Sequence, residues 1–118
     1  MTAEDIQNSQ DVVFGMFIAN SAPASILFDS GASHSFITTQ YVAKHGTTMA
    51  TMKHTMIVSS PGGEMRMSYV CPKVNLKIMG IDFLANLIVL ESKGIDIILG
   101  MDWLVKNHGV IDCARRAV

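Results

Sequence analysis

Turn-forming residues interrupt this chain so often that no apolar stretch runs long. Residues 12–18 (VVFGMFI) and 25–28 (SILF) are rich in β-formers, and Asn20, Ser21 and Pro23 between them have the composition of a hairpin turn. Met65, Met67 and Tyr69 alternate with Glu64, Arg66 and Ser68, directly after the turn chemistry of Pro61-Gly62-Gly63. Val74, Leu76 and Ile78 then alternate with Asn75 and Lys77, Gly80 marks another turn, and residues 83–90 form a nearly continuous apolar strand. Such a pattern predicts a mainly β fold built from hairpins.

Two short helices fit into it. Phe36, Ile37, Tyr41 and Val42 recur at helical spacing over 35–45, with Ser35 placed to cap the start and Gly46 the end. Ile95, Ile97, Ile98 and Leu99 form a strand stopped by Gly100, after which Met101, Leu104, Val105 and His108 fall at i, i+3, i+4 and i+7. Gly109 stands where that helix would end, and Val110 to Cys113 are expected to form a last strand. The two halves echo each other: strand, Gly31, helix, His45-Gly46, and again strand, Gly100, helix, His108-Gly109. Only the first copy carries an acid just before its glycine.

The chain has 118 residues, expected as one domain over 11–118 behind a polar leader, 1–10. With 9 basic and 10 acidic residues and no Lys/Arg cluster, nothing is placed to track a phosphate backbone, so nucleic-acid binding by this segment is not expected. The start lacks a secretory signal's charged and apolar regions, and residues 81–90 are broken by Asp82 and Asn86, far short of the ~20 residues a bilayer needs. A soluble, intracellular and cytoplasmic protein is expected, with no membrane contact. Cys71 and Cys113 have no CxxC or Cys/His ligand spacing, so reduced thiols, no metal and no cofactor are expected. A 49% hydrophobic share against 16% charged residues leaves apolar surface for a partner, and self-association is the simplest one.

One stretch carries candidate chemistry. In "LFDSGASHSFI", residues 27–37, Asp29 follows an apolar run and precedes Ser30 and Gly31, which puts a carboxylate in a tight turn among backbone amides. By itself an Asp-Ser-Gly tripeptide more often marks an Asx-type turn with no further role. The strings "DSGASHSFI", "ILGMDWL" and "HGVIDC", in this order and at these separations, resemble the retropepsin-like aspartic proteases. The likeness runs over about residues 11–113 and is strongest to the protease domain in polyproteins of Ty3/gypsy-type retrotransposons.

That resemblance implies a closed β-barrel-like fold with one or two short helices. It implies that Asp29 is catalytic and that Ser30, Gly31 and Ala32 support its loop. Residues 59–66, including Ser60, Pro61, Gly62, Gly63 and Glu64, become a flap over the substrate, while Ile98, Leu99 and Gly100 brace the catalytic loop. Ser33, His34 and Ser35 stand where retroviral members often carry acidic residues, and Ser33 and His34 are candidates for substrate contact. Hydrolysis by this route needs two carboxylates sharing one proton, yet the chain holds one Asp-Ser-Gly motif; Asp96 and Asp102 flank Gly100 outside any such turn. A homodimer acting on a polypeptide substrate is therefore expected, with retroelement polyprotein processing as its role. The rivals are a dimerisation module that keeps the scaffold without cleaving, and a serine hydrolase using Ser30, Ser33 or Ser35, for which no Gly-x-Ser-x-Gly elbow exists.

Overall fold

The computed structural model describes residues 12–60, 63–92 and 94–107. Strands β1 (Val12–Ala19) and β2 (Ala22–Asp29) form the first hairpin. A third strand, β3 (Phe36–Thr38), runs into helix α1 (Thr39–His45). A long hairpin, β4 (Ala50–Ser60) and β5 (Gly63–Ile78), turns back into β6 (Ile81–Leu90). Strand β7 (Ile97–Leu99) and the single-turn helix α2 (Met101–Leu104) follow.

The sheet has seven strands in the order β1-β2-β7-β3-β6-β5-β4. It curls until Ile18 and Ala19 of β1 pair with Lys77 and Leu76 of β5. This closes a ring and leaves β4 hanging from its far side, so the expected closed β-barrel takes the form of a ring of sheet with an arm rather than a clean barrel. Inside it Ile26, Phe28, Ile37, Leu76, Ile78, Leu87, Ile97 and Leu99 are fully buried. Trp103 of α2 packs its ring 6.0 Å from Phe28 and 5.5 Å from Phe83, so the short helix is held by core contacts instead of by its own length.

Local sequence explains the turns. Asn20 and Ser21 both adopt left-handed backbone (φ 47° and 69°), as do Met79 (φ 53°) and Gly80 (φ 79°), and two such residues are what a two-residue hairpin of right-twisted strands requires. Asn20 also donates its N–H to the Asn75 carbonyl and accepts the Asn75 N–H on its side chain, both at 2.8 Å, beside the ring closure. The Tyr41 hydroxyl reaches the carbonyl oxygens of Ala19 and Ala22, 3.2 Å from each, tying α1 to the same turn. Burial, and secondarily the charge of Asp96, hold that hydroxyl's pKa above its ordinary 10.0.

The structure differs from the sequence-based expectation in several places. The helix expected from Ser35 begins at Thr39, because Phe36 and Ile37 are taken into ladders with both β6 and β7. Thr38 caps α1 instead, its hydroxyl oxygen accepting the Tyr41 N–H, and Gly46 closes the helix with φ 60°. The apolar alternations at 65–69 and 74–78 belong to one strand, β5, with a bulge between Cys71 and Val74 that accommodates Pro72 and Lys73. Asn86 accepts the Lys73 N–H there at 3.0 Å. Cys71, at the same bulge, is a buried free thiol whose pKa burial raises above 9.0. Strand β6 is not buried on both faces, since Leu84 is 65% exposed. The leader at 1–10, His108-Gly109 and the strand expected at 110–113 lie outside the described residues.

Candidate active site

Strand β2 lies between β1 and β7, with Leu27 beside Ile98 and Phe28 beside Leu99 in parallel register. Parallel neighbours end at the same edge of the sheet. The turn that follows Asp29 and the turn that opens at Gly100 therefore emerge side by side, although 71 positions separate them in the chain.

The Asp29 turn is internally tied. Its carboxylate Oδ1 accepts the Gly31 N–H at 2.8 Å, and its backbone carbonyl accepts the Ala32 N–H at 3.1 Å. A Cβ on residue 31 would stand 3.1 Å from that same Oδ1, so glycine allows the amide to approach the carboxylate. Asp29, Ser30 and Ala32 are half-buried, while Gly31, Ser33 and His34 are exposed. The result is an oriented acid that solvent can still reach.

The segment Gly100–Asp102 grips the rest of this loop. The Met101 N–H donates to the Ala32 carbonyl at 2.7 Å, and the Gly100 N–H donates to Ser35 Oγ at 3.0 Å. Ser35, only 1% exposed, donates its hydroxyl to Asp102 Oδ1 at 2.6 Å, and its carbonyl accepts the Ile88 N–H at 3.0 Å. Any Cβ at position 100 would lie 2.3 Å from the His34 carbonyl oxygen and 2.6 Å from that of Ala32. Only glycine fits between these backbones. The structure thus brings Asp29, Ser30, Gly31 and Ala32 together with Ile98, Leu99 and Gly100, and leaves Ser33 and His34 on the outer side of the same loop.

The expected flap segment is the end of the β4–β5 arm, where Val58 pairs with Met65, Ser59 with Glu64 and Ser60 with Gly63. Pro61 and Gly62 lie outside the described residues. Ile57, Val58 and Met65 present exposed apolar side chains on this arm. An open groove of about 380 Å³ runs between it and the end of β6, with Met65, Met67, Tyr69, Leu90 and Glu91 among its walls. The arm pairs directly with neither β2 nor β7.

Sequence reasoning missed what Ser35, Asp96 and Asp102 do. The sequence places Ser35 as a helix cap and gives the two acids no catalytic turn, since both lie outside an Asp-Ser-Gly motif. Asp96 brackets β2 from the other end: its carboxylate accepts the Ser25 N–H at 2.9 Å, and its own N–H reaches Ser25 Oγ at 2.9 Å. Asp102 also accepts the N–H of its neighbour Trp103 at 2.8 Å. The echo of strand, glycine and helix was the available signal, because it marks the Gly100 turn as the counterpart of the Asp29 turn. Among the described residues no group of three His, Cys, Asp or Glu side chains could hold a metal, and no helix is long and apolar enough to cross a membrane.

Comparison with known proteins bears on the fold and the family. The chain is similar in structure to EIAV protease complexed with the inhibitor HBY-793, with a TM-score of 0.62 and 21% identity over 86% of this chain and 92% of that one. It is equally similar, at a TM-score of 0.62 and 17% identity, to the retroviral protease-like domain of Ddi1 from Leishmania major, over 85% of this chain and 80% of that one. At these identities the likeness establishes a shared fold. No curated protein matches the sequence. A family profile described as retroviral aspartyl protease spans residues 1–118, and with the retropepsin-like fold already in hand it gives the assignment: this chain belongs to the retroviral aspartyl protease family.

Proposed function

We propose that this chain is one half of an aspartic endopeptidase. Two copies meet about a twofold axis, and each contributes Asp29 to a pair of carboxylates that share one proton. Two like charges a few ångströms apart repel, so a single proton held between the two carboxylates relieves the repulsion. The ionised carboxylate takes a proton from a water whose oxygen attacks the scissile carbonyl carbon. The protonated one donates to the carbonyl oxygen, and the tetrahedral product collapses as the C–N bond breaks and the amine leaves with a proton. Ser30, Gly31 and Ala32 shape the Asp29 turn, Ile98, Leu99 and Gly100 brace it, and Ser33 and His34 contact substrate. The 60–64 segment of the β4–β5 arm closes over the bound peptide and excludes water.

The observation that carries this reading is a solvent-reachable carboxylate fixed by the Gly31 amide at 2.8 Å, in a loop that Gly100 packs too closely to tolerate any other residue. A polypeptide substrate follows from the chemistry. Processing of a retroelement polyprotein is the role suggested by the resemblance of the three sequence strings to those of Ty3/gypsy-type protease domains.

The rival reading is a scaffold that dimerises without cleaving, favoured by the similarity to a domain described only as retroviral protease-like. Digestion of casein and of peptide libraries across acid to neutral pH, with and without a pepstatin-type inhibitor, separates the two. Inhibitor-sensitive cleavage that disappears in Asp29→Asn supports the enzyme. A dimer that cuts nothing at any pH supports the scaffold.

A further inference from the structure

Ser35 is the last residue of the Asp29 loop, and it is held from three directions. Its hydroxyl oxygen accepts the Gly100 N–H at 3.0 Å, its hydroxyl proton goes to Asp102 Oδ1 at 2.6 Å, and its carbonyl accepts the Ile88 N–H at 3.0 Å. The 2.6 Å contact has the length of a charge-assisted O–H···O⁻ bond. Asp102 is exposed, so it adds little to the core, yet its Oδ1 also takes the Trp103 N–H at 2.8 Å and is thereby aimed at Ser35. The Asp29 loop is thus anchored at a buried serine by an acid that belongs to the other half of the chain.

We infer that Ser35 and Asp102 act as a pair of positioning residues for Asp29. Neither touches substrate. Asp102 fixes the Ser35 hydroxyl so that its oxygen faces the Gly100 amide, and this locks the far end of the loop whose near end carries the acid. Displacements near 1 Å at a reacting group cost roughly 100-fold in rate, so a loosened anchor is felt in turnover before it is felt in folding. The inference rests on the reading of Asp29 as the reacting acid.

The test compares Asp102→Ala, Asp102→Asn, Ser35→Ala and Ser35→Thr with the unaltered chain. It reads kcat and KM on a cleaved peptide, the melting temperature, and hydrogen exchange at the Gly100 and Met101 amides. Asp102→Ala is expected to lower kcat by about tenfold or more, with KM within about threefold, at an almost unchanged melting temperature. Asp102→Asn keeps an acceptor oxygen and Ser35→Thr keeps a hydroxyl, so each is expected to restore most of the loss. Ser35→Ala combined with Asp102→Ala is expected to be no slower than Ser35→Ala alone, because the two residues act as one unit. Faster exchange at Gly100 in Asp102→Ala is expected as well. The inference is overturned if Asp102→Ala leaves kcat and Gly100 exchange unchanged, if Asn is no better than Ala, or if kcat falls only in step with melting temperature. Should the unaltered protein cleave no peptide, the enzymatic reading fails by itself, and the exchange measurement alone decides whether the pair anchors the loop.

Discussion

The two glycine turns that leave β2 and β7 side by side are built alike and put to different use. Each follows an apolar strand and each has an acid within two residues of its glycine, although β3 stands between the first turn and α1 while α2 opens directly after Gly100. In the first, Asp29 accepts a single local amide, from Gly31, and stays half-buried at the solvent edge. In the second, Asp102 accepts both the Ser35 hydroxyl and the Trp103 amide, and Gly100 lies against the backbones of Ala32 and His34. One turn keeps its acid available, and the other spends its acid on holding the first. A chain divided in this way carries half of the proposed dyad, which is why the proposed reaction calls for a second copy.

Substitutions can break that contrast at Asp29 and at its two glycines. The largest effect on activity is expected at Asp29: Asn there should reduce peptide cleavage by about 10⁴-fold, the upper range for a general acid or base, with the melting temperature within a few degrees of the unaltered chain. Retained cleavage would remove Asp29 from the chemistry. The largest effect on stability is expected at Gly100, where Ala would place a Cβ 2.3 Å from the His34 carbonyl oxygen. Because backbone must move, a loss of about 3 kcal/mol in urea unfolding is expected. Gly31→Ala meets a side-chain oxygen at 3.1 Å instead, so about 1 kcal/mol is expected, with the heavier penalty in turnover. Equal stability losses at the two glycines would erase the contrast.

A smaller effect sharpens the picture away from the site. Tyr41→Phe removes the hydroxyl that bonds the carbonyl oxygens of Ala19 and Ala22, at a cost of about 1 kcal/mol near neutral pH. The hydroxyl pKa is raised in the folded state, so the folded chain holds this proton more tightly than the unfolded one. That contribution is complete below pH 10.0, the ordinary value, and is lost as pH climbs through the folded-state value. Urea unfolding at pH 8 and pH 11 should therefore show a steeper alkaline loss in the unaltered chain than in Tyr41→Phe; Cys71, also raised by burial, adds a loss starting above pH 9.0 that both chains share. The smallest effect is expected for Lys77→Ala, since the Lys77–Asp82 pair is 4.0 Å apart with both side chains more than half exposed. A change within about 0.5 kcal/mol in the same assay sets the floor for the others.

Much of the ring was legible in the sequence because strands with one buried face write their period into it, as Val74, Leu76 and Ile78 do in β5. The Asn20-Ser21 and Gly80 turns were legible for the same local reason. Residues 35–38 were misjudged, since Phe36 and Ile37 have helical spacing to Tyr41, and only the ladders from β6 and β7 decide that they are strand. The bulge at Pro72-Lys73, which joins the 65–69 and 74–78 alternations into one strand, depends on the β6 ladder and leaves no local mark that separates it from other irregularities. At the site, the Asp-Ser-Gly turn is a local motif and could be read directly. The contacts that hold it, Ser35 with Asp102 and Ser25 with Asp96, join residues 67 and 71 positions apart, and no local pattern records such partners.

The claim that one chain holds half a catalyst is tested most directly by mixing. The unaltered protein, refolded together with an equal amount of Asp29→Asn, should form mixed dimers that carry a single reactive carboxylate, and cleavage per unaltered chain should fall to about half, and further with more of the variant. Cleavage that stays proportional to the unaltered protein alone, whatever excess of the variant is present, would show that a single chain cuts by itself.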